Sequence, residues 1–243
     1  MNDLDFDLTT PDGRMRTFVT CPEEGGPFPV VFFYMDAPGK REELHDMARR
    51  LGTAGYFVVL PNLYYRQRDT YELVDRSAEA MAEMQALMFS LSHDTVIADT
   101  ATLFDYVDGH PDADASRIGC FGYCMSGPFA VAVAAAYPER VGAAASLYGV
   151  RLATDAPDSP HRVAAAIKGE VYVAHAELDT HVSIDEARQL EKALADAGVR
   201  HRVELYEGSH HGFAFPGRAG AYDKAAAERH WERLHALFRR NLG

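Results

Sequence analysis

Residues 119–129 read Gly-Cys-Phe-Gly-Tyr-Cys-Met-Ser-Gly-Pro-Phe. An apolar approach over 117–121 leads in and an alanine-rich stretch with helical character leads out, so the order is strand, tight turn, helix. Cys124 sits at the turn, with Gly122 two positions before it and Ser126 and Gly127 two and three positions after it. Small residues are needed there because strand and helix pass close together and the residue at the apex is held in a strained backbone conformation. Such a side chain projects from a strand end beside the positive end of the following helix, where a thiolate is favoured. A cysteine taken alone reads as a small buried hydrophobe. The spacing of small residues around Cys124 argues instead for a nucleophile.

On either side the hydrophobic period switches between strand and helix. Asp12-Gly13 is a strong turn signal, and residues 5–21 around it predict an antiparallel hairpin at a sheet edge. Residues 29–34 are a continuous apolar run, as in a strand buried on both faces. Residues 41–54 have helical periodicity ended by Gly55, and 56–60 form a second buried strand stopped by Pro61. Residues 62–75, rich in tyrosine and arginine and without a period, predict a long loop over the surface. Helices are predicted over 77–90, 94–108, 184–197 and 222–240, strands over 141–148, 171–174 and 202–206, and a polar loop through Pro157 and Pro160. Repeated alternation implies α/β architecture, a mostly parallel sheet with helices on both faces. No linker-like stretch divides the chain, so 1–243 is expected to be one domain.

Of the 243 residues 47% are hydrophobic, enough for a substantial core. The 36 acidic residues exceed the 24 basic ones, and a net charge of -12 argues against nucleic acid or an anionic membrane surface as a partner. The first seven residues carry neither the basic nor the apolar region of a secretory signal. No apolar run approaches the roughly 20 residues that span a bilayer. Three cysteines, Cys21, Cys120 and Cys124, suit reduced thiols in a cytoplasm better than a disulfide framework. The expectation is a cytoplasmic monomer or small homo-oligomer. Eleven histidines include no HExxH, and no CxxC accompanies them, so neither a metal nor a cofactor is expected.

In open parallel sheets functional groups gather at the carboxyl ends of the strands. Beyond Cys124, the loop His-Ala-Glu-Leu-Asp-Thr-His-Val (175–182) presents Glu177 and Asp179, and Glu-Gly-Ser-His-His-Gly-Phe (207–213) presents His210 and His211. Nucleophile, acid, histidine is the chain order of α/β-hydrolases. The residue types fit acyl transfer: a thiolate attacks, a histidine moves protons, and a carboxylate fixes the imidazole tautomer. Singly, Asp179 could cap the helix that follows and His211 could be a solvated loop residue. An oxyanion would take the N–H of Met125 and, from the loop Met35-Asp36-Ala37-Pro38-Gly39, that of Ala37, since Pro38 has none.

Gly-Tyr-Cys-Met-Ser-Gly (122–127), Asp-Thr-His-Val (179–182) and Gly-Ser-His-His-Gly-Phe (208–213), with Pro-Asn-Leu-Tyr-Tyr-Arg (61–66) and Tyr-Gly-Val (148–150), resemble the dienelactone hydrolases. These are α/β-hydrolases with a cysteine nucleophile, and the resemblance covers nearly the whole chain. It implies hydrolysis of a small-molecule ester or lactone, with Cys124 as nucleophile, Asp179 as acid, His211 as base, and Tyr64, Tyr123 and Phe215 at the substrate. The family carries a glutamate that interacts with the resting cysteine. Asp36 stands at that position, one methylene shorter, with capping of a turn in its own loop as the alternative role. The family's two carboxylate-binding arginines match Met81 and Phe215 here, leaving Arg66, Arg68, Arg76 or Arg218 as candidate replacements. Two other readings stay open. One is a thiol redox protein using Cys124, for which Cys120, four residues up the same strand, is too far to be the resolving cysteine. The other is a non-catalytic ligand-binding module.

Overall fold

In the computed structural model, which describes residues 1–242, β1 (Asn2–Thr10) and β2 (Gly13–Cys21) form the expected hairpin, paired from Asn2↔Cys21 to Thr10↔Gly13. It begins earlier than the apolar pattern indicates because charge, rather than burial, holds its outer strand. Asp3 pairs with Arg49, and Asp5 with Arg16 and Lys40. β3 (Phe28–Tyr34) follows, then α1 (Glu42–Gly52) and β4 (Phe57–Pro61). β4 lies between its neighbours, antiparallel to β2 and parallel to β3. Val30 to Met35 and Phe57 to Leu60 are fully buried, as expected of strands covered on both faces, but Pro61 does not stop β4: it is the strand's last residue and pairs with Thr17. α1 turns Leu44, Met47, Ala48 and Leu51 inward against β2 and β4.

The segment after β4 departs from the surface loop expected of it. Asn62, Leu63, Tyr64 and Tyr65 are all buried. Burial is possible because their polar groups are satisfied internally. Asn62 Nδ2 donates to the carbonyls of Arg68 and Asp69, and Tyr65 Oη donates to Asp99 at 2.8 Å. Two helices follow, α2 (Ala78–Phe89) and α3 (His93–Asp108), each opened by a serine: Ser77 accepts from Ala80 N–H and Ser92 from Thr95 N–H.

Chain contacts divide the molecule into two compact units, the first ending at Ser116 and the second starting at Arg117. β5 (Ala113–Tyr123) crosses that boundary, and everything beyond it belongs to the second unit. There, α4 (Gly127–Ala136), β6 (Val141–Leu147), α5 (Pro160–Val163), β7 (Glu170–Ala176), α6 (Ile184–Asp196), β8 (His201–Tyr206) and α7 (Lys224–Leu242) alternate along the chain. β5, β6, β7 and β8 pair in that order, all parallel. Consecutive residues of a strand face opposite ways. Cys120 Sγ donates to Ala130 O of α4 at 3.4 Å, whereas the ring of the next residue, Phe121, lies 6.0 Å from Phe238 of α7. Helices therefore cover both faces of β5. Among the described residues, no helix is long and apolar enough to cross a membrane.

Candidate active site

At the end of β5 the backbone passes from an extended Tyr123 (φ -112, ψ 146) into Cys124 with φ 55. A left-handed conformation at a residue with a side chain is strained, and it persists only when the surroundings impose it. Two glycines make room. A Cβ on Gly122 would lie 2.4 Å from Ser126 O, and one on Gly127 would lie 2.4 Å from Ser146 Oγ and 2.6 Å from Gly149 Cα. Ser126 is fully buried; its Oγ accepts from Tyr123 N–H and donates to Tyr123 O, both at 3.0 Å, so it locks the turn. Val150 N–H donates to Cys124 O at 3.1 Å. Met125 follows within the short helical turn, whose leading amides favour negative charge.

The loop after β7 presents Asp179, whose side chain has no exposed surface. Its Oδ1 accepts from the N–H groups of His181 (2.8 Å) and Val182 (3.2 Å), and its Oδ2 lies 2.7 Å from His211 Nδ1. It does not cap α6; Ser183 does, accepting from Asp185 N–H. Glu177 turns elsewhere, accepting from Gly208 N–H at 2.8 Å. His211, from the loop after β8, is largely buried, while its neighbour His210 is exposed. With Nδ1 on Asp179, the imidazole also interacts electrostatically with the Cys124 side chain. Burial alone would lower the His211 pKa, but the interactions with Asp179 and Cys124 outweigh it and raise the value to about 9. For Asp179 burial opposes ionisation, and the His211 bond reverses this and holds the carboxyl below its ordinary range. The ring of Tyr148, itself at φ 39, meets His211 edge-on at 4.9 Å, and that of His181 does so at 4.8 Å. His175 is buried nearby, and burial lowers its pKa.

Other residues singled out in the sequence have different surroundings. Tyr123 and Phe215 have no exposed surface; their rings pack 5.0 Å apart, and they back the site from within the core rather than presenting a face to a ligand. Tyr64, in the first unit, is equally buried and donates its Oη to Ala37 O at 3.0 Å, so its polar end is committed. Asp36, also in the first unit, has a fully buried side chain that accepts from Arg41 Nη1, and its carbonyl closes a turn with Gly39 N–H at 3.0 Å. Of the candidate arginines, Arg66 is engaged by Asp12 and Asp99, and Arg68 by Glu83. Arg218 lies in the second unit, 4.7 Å above the Phe215 ring. Sequence reading missed Arg41 as the partner of Asp36 and Tyr148 as the wall behind His211. The first is signalled only by a cation five positions on, and the second by Tyr-Gly-Val. Among the described residues, no group of three His, Cys, Asp or Glu side chains could hold a metal ion.

Residues 15–242 match the dienelactone hydrolase family. A protein of Synechocystis sp., provisionally named carboxymethylenebutenolidase, is 28% identical over 240 residues, covering 97% of this chain and 96% of its own. A protein of Methylorubrum extorquens with the same provisional name is 29% identical over 232 residues, covering 94% of this chain and 77% of its own. Among solved structures, a provisionally named dienelactone hydrolase of Klebsiella pneumoniae superposes with a TM-score of 0.86 at 24% identity, covering 98% of both chains. That likeness establishes the α/β-hydrolase fold.

Proposed function

Because the chain belongs to the dienelactone hydrolase family, we propose that it hydrolyses a small-molecule ester or lactone through an acyl-cysteine at Cys124. The observation that carries this reading is the chain of contacts from Asp179 to His211 to Cys124, ending on a residue held at φ 55. With the His211 pKa near 9, the imidazolium form prevails at neutral pH beside the cysteine sulfur.

The Cys124 thiolate attacks the acyl carbon and forms the C–S bond, and the carbonyl oxygen takes the negative charge, which the Met125 N–H meets. On collapse the C–O bond breaks and His211 gives its Nε2 proton to the departing alkoxide; in a lactone that alkoxide stays tethered to the acyl group. His211, now neutral, takes a proton from water, the hydroxide attacks the thioester, and the thiolate leaves again. Throughout, Asp179 holds Nδ1–H, keeping Nε2 on the cysteine side. Ala37 N–H is the second oxyanion donor in this reading, and Asp36 keeps its place in it as the counterpart of the family's glutamate.

The relatives' names point to the enol-lactone substrate of carboxymethylenebutenolidase. Met81 and Phe215 carry no charge for its carboxylate, so neutral aryl esters and lactones belong beside dienelactone in any screen. The net charge of -12 supports a small-molecule partner rather than nucleic acid or membrane. Three unpaired cysteines support a cytoplasmic setting. The test is Cys124→Ala: hydrolysis of aryl esters and lactones is expected to fall on the order of 10⁴-fold or more with the fold retained. Turnover near the parent rate would remove the covalent route.

A further inference from the structure

We propose that His230, on α7, is a positioning residue for the nucleophile, acting through Tyr123. The proposal rests on the Cys124 reading above. Tyr123 Oη lies 2.8 Å from His230 Nε2, and neither residue has any exposed surface. His230 Nδ1 faces the carbonyl of Ala227. A carbonyl only accepts, so Nδ1 carries the proton, Nε2 is the lone-pair side, and the phenol donates to it.

This bond matters because of where Tyr123 sits. A strained residue such as Cys124 keeps its conformation only if the chain is fixed on both sides, since relaxing it would release about 1–3 kcal/mol. On the following side, polar groups fix it: Val150 N–H and Gly127 N–H both donate to Cys124 O. On the preceding side, bonds to Ser126 Oγ tie the Tyr123 backbone to the same turn, and the pairing of Tyr123 with Leu147 joins it to β6. The Tyr123 ring adds a further anchor, to α7. Its aromatic neighbours, Phe121 at 5.7 Å, Tyr148 at 5.6 Å and Phe215 at 5.0 Å, are apolar contacts that tolerate sliding. The directional contact to His230 does not. α7 is a firm support for it, since Phe238 fills the space that Gly119 leaves on β5, where a Cβ would come within 2.7 Å.

Loss of the bond should let the turn drift by a fraction of an ångström, and misplacing a reacting atom by about 1 Å can cost on the order of 100-fold. Tyr123→Phe keeps the ring and removes the hydroxyl. The expected result is a kcat lower by roughly tenfold, with KM unchanged and alkylation of Cys124 by iodoacetamide slowed in step. His230→Leu should reproduce this, and the double variant should lose no more than either alone, as for two ends of one interaction. His230→Gln, whose amide oxygen can accept from the phenol, should recover most of the rate. A folded Tyr123→Phe protein with parent kcat and alkylation rate would overturn the proposal, as would a Gln variant no better than the Leu variant. Should His230→Leu fail to fold, Tyr123→Phe still decides. The outcome is separable from that of the function reading, which fails if hydrolysis survives Cys124→Ala, whereas alkylation reports the placement of the sulfur whatever the substrate.

Discussion

Two carboxylates with fully buried side chains, one in each unit, differ in the cation they face. Asp36 is held by Arg41, whose guanidinium stays charged at every accessible pH; Asp179 is held by His211, whose charge can change within the working range. A permanent pair fixes a loop and exchanges no proton. A titratable pair can hold a proton and release it, so the second carboxylate is the one suited to chemistry, although the two look alike by burial. Their other ties repeat the contrast. Arg41 is braced by Glu43, within its own loop and helix start, whereas Asp179 and His211 come from loops 32 residues apart in sequence.

The contrast is broken most severely by Asp179→Asn, expected to lower kcat by roughly 10²–10⁴-fold because the amide can select the wrong imidazole tautomer. The same variant sharpens it through pH. In the parent, hydrolysis should decline as pH rises through about 9, where His211 loses the proton the leaving group needs, while iodoacetamide alkylation should not decline there. Since the Asp179 bond is the leading contribution that raises this pKa, the alkaline limb should move to lower pH in Asp179→Asn; an unmoved limb would detach it from His211. The stability term has the matching sign: a raised histidine pKa stabilises fully below its ordinary value of 6.5, and that contribution fades as pH climbs through about 9.

For the first unit, Asp36→Asn takes the buried negative charge away from Arg41, whose remaining contacts include Glu43 and the Gly39 carbonyl, and should cost about 3–5 kcal/mol of unfolding free energy in urea. An unchanged midpoint would show that the pair is dispensable. The smallest effect is expected for Glu177→Gln, since an amide oxygen can still accept from Gly208 N–H on the surface. Stability should stay within about 0.5 kcal/mol, and activity should match the parent. A large loss in activity would mean that the acid in this loop has been misassigned.

How far the sequence could be read depended on how local each cause was. The turn at Cys124 was legible because its requirements lie within six residues: Gly122 and Gly127 vacate space that a Cβ would fill, and both are neighbours of the residue they serve. The choice of Asp179 over Glu177 was half legible. Chain order named the loop, but only the positions of the Gly208 and His211 loops separate the two acids. The burial of Tyr64 and Tyr65 was not legible, because it depends on Asn62, Ala37 and Asp99 closing their hydrogen bonds.

By itself, then, the sequence determined the alternation of strands and helices, the strained turn, the family and the residue types available for acyl transfer, since these follow from periodicity, backbone sterics and side-chain chemistry acting over a few residues. Tertiary structure alone decided which cation each buried carboxylate meets, that the pKa of His211 is raised despite its burial, and that an imidazole 107 residues further on takes the phenol beside the cysteine. Those outcomes depend on directional contacts of a few ångströms between distant segments, and no local pattern in the chain encodes such distances.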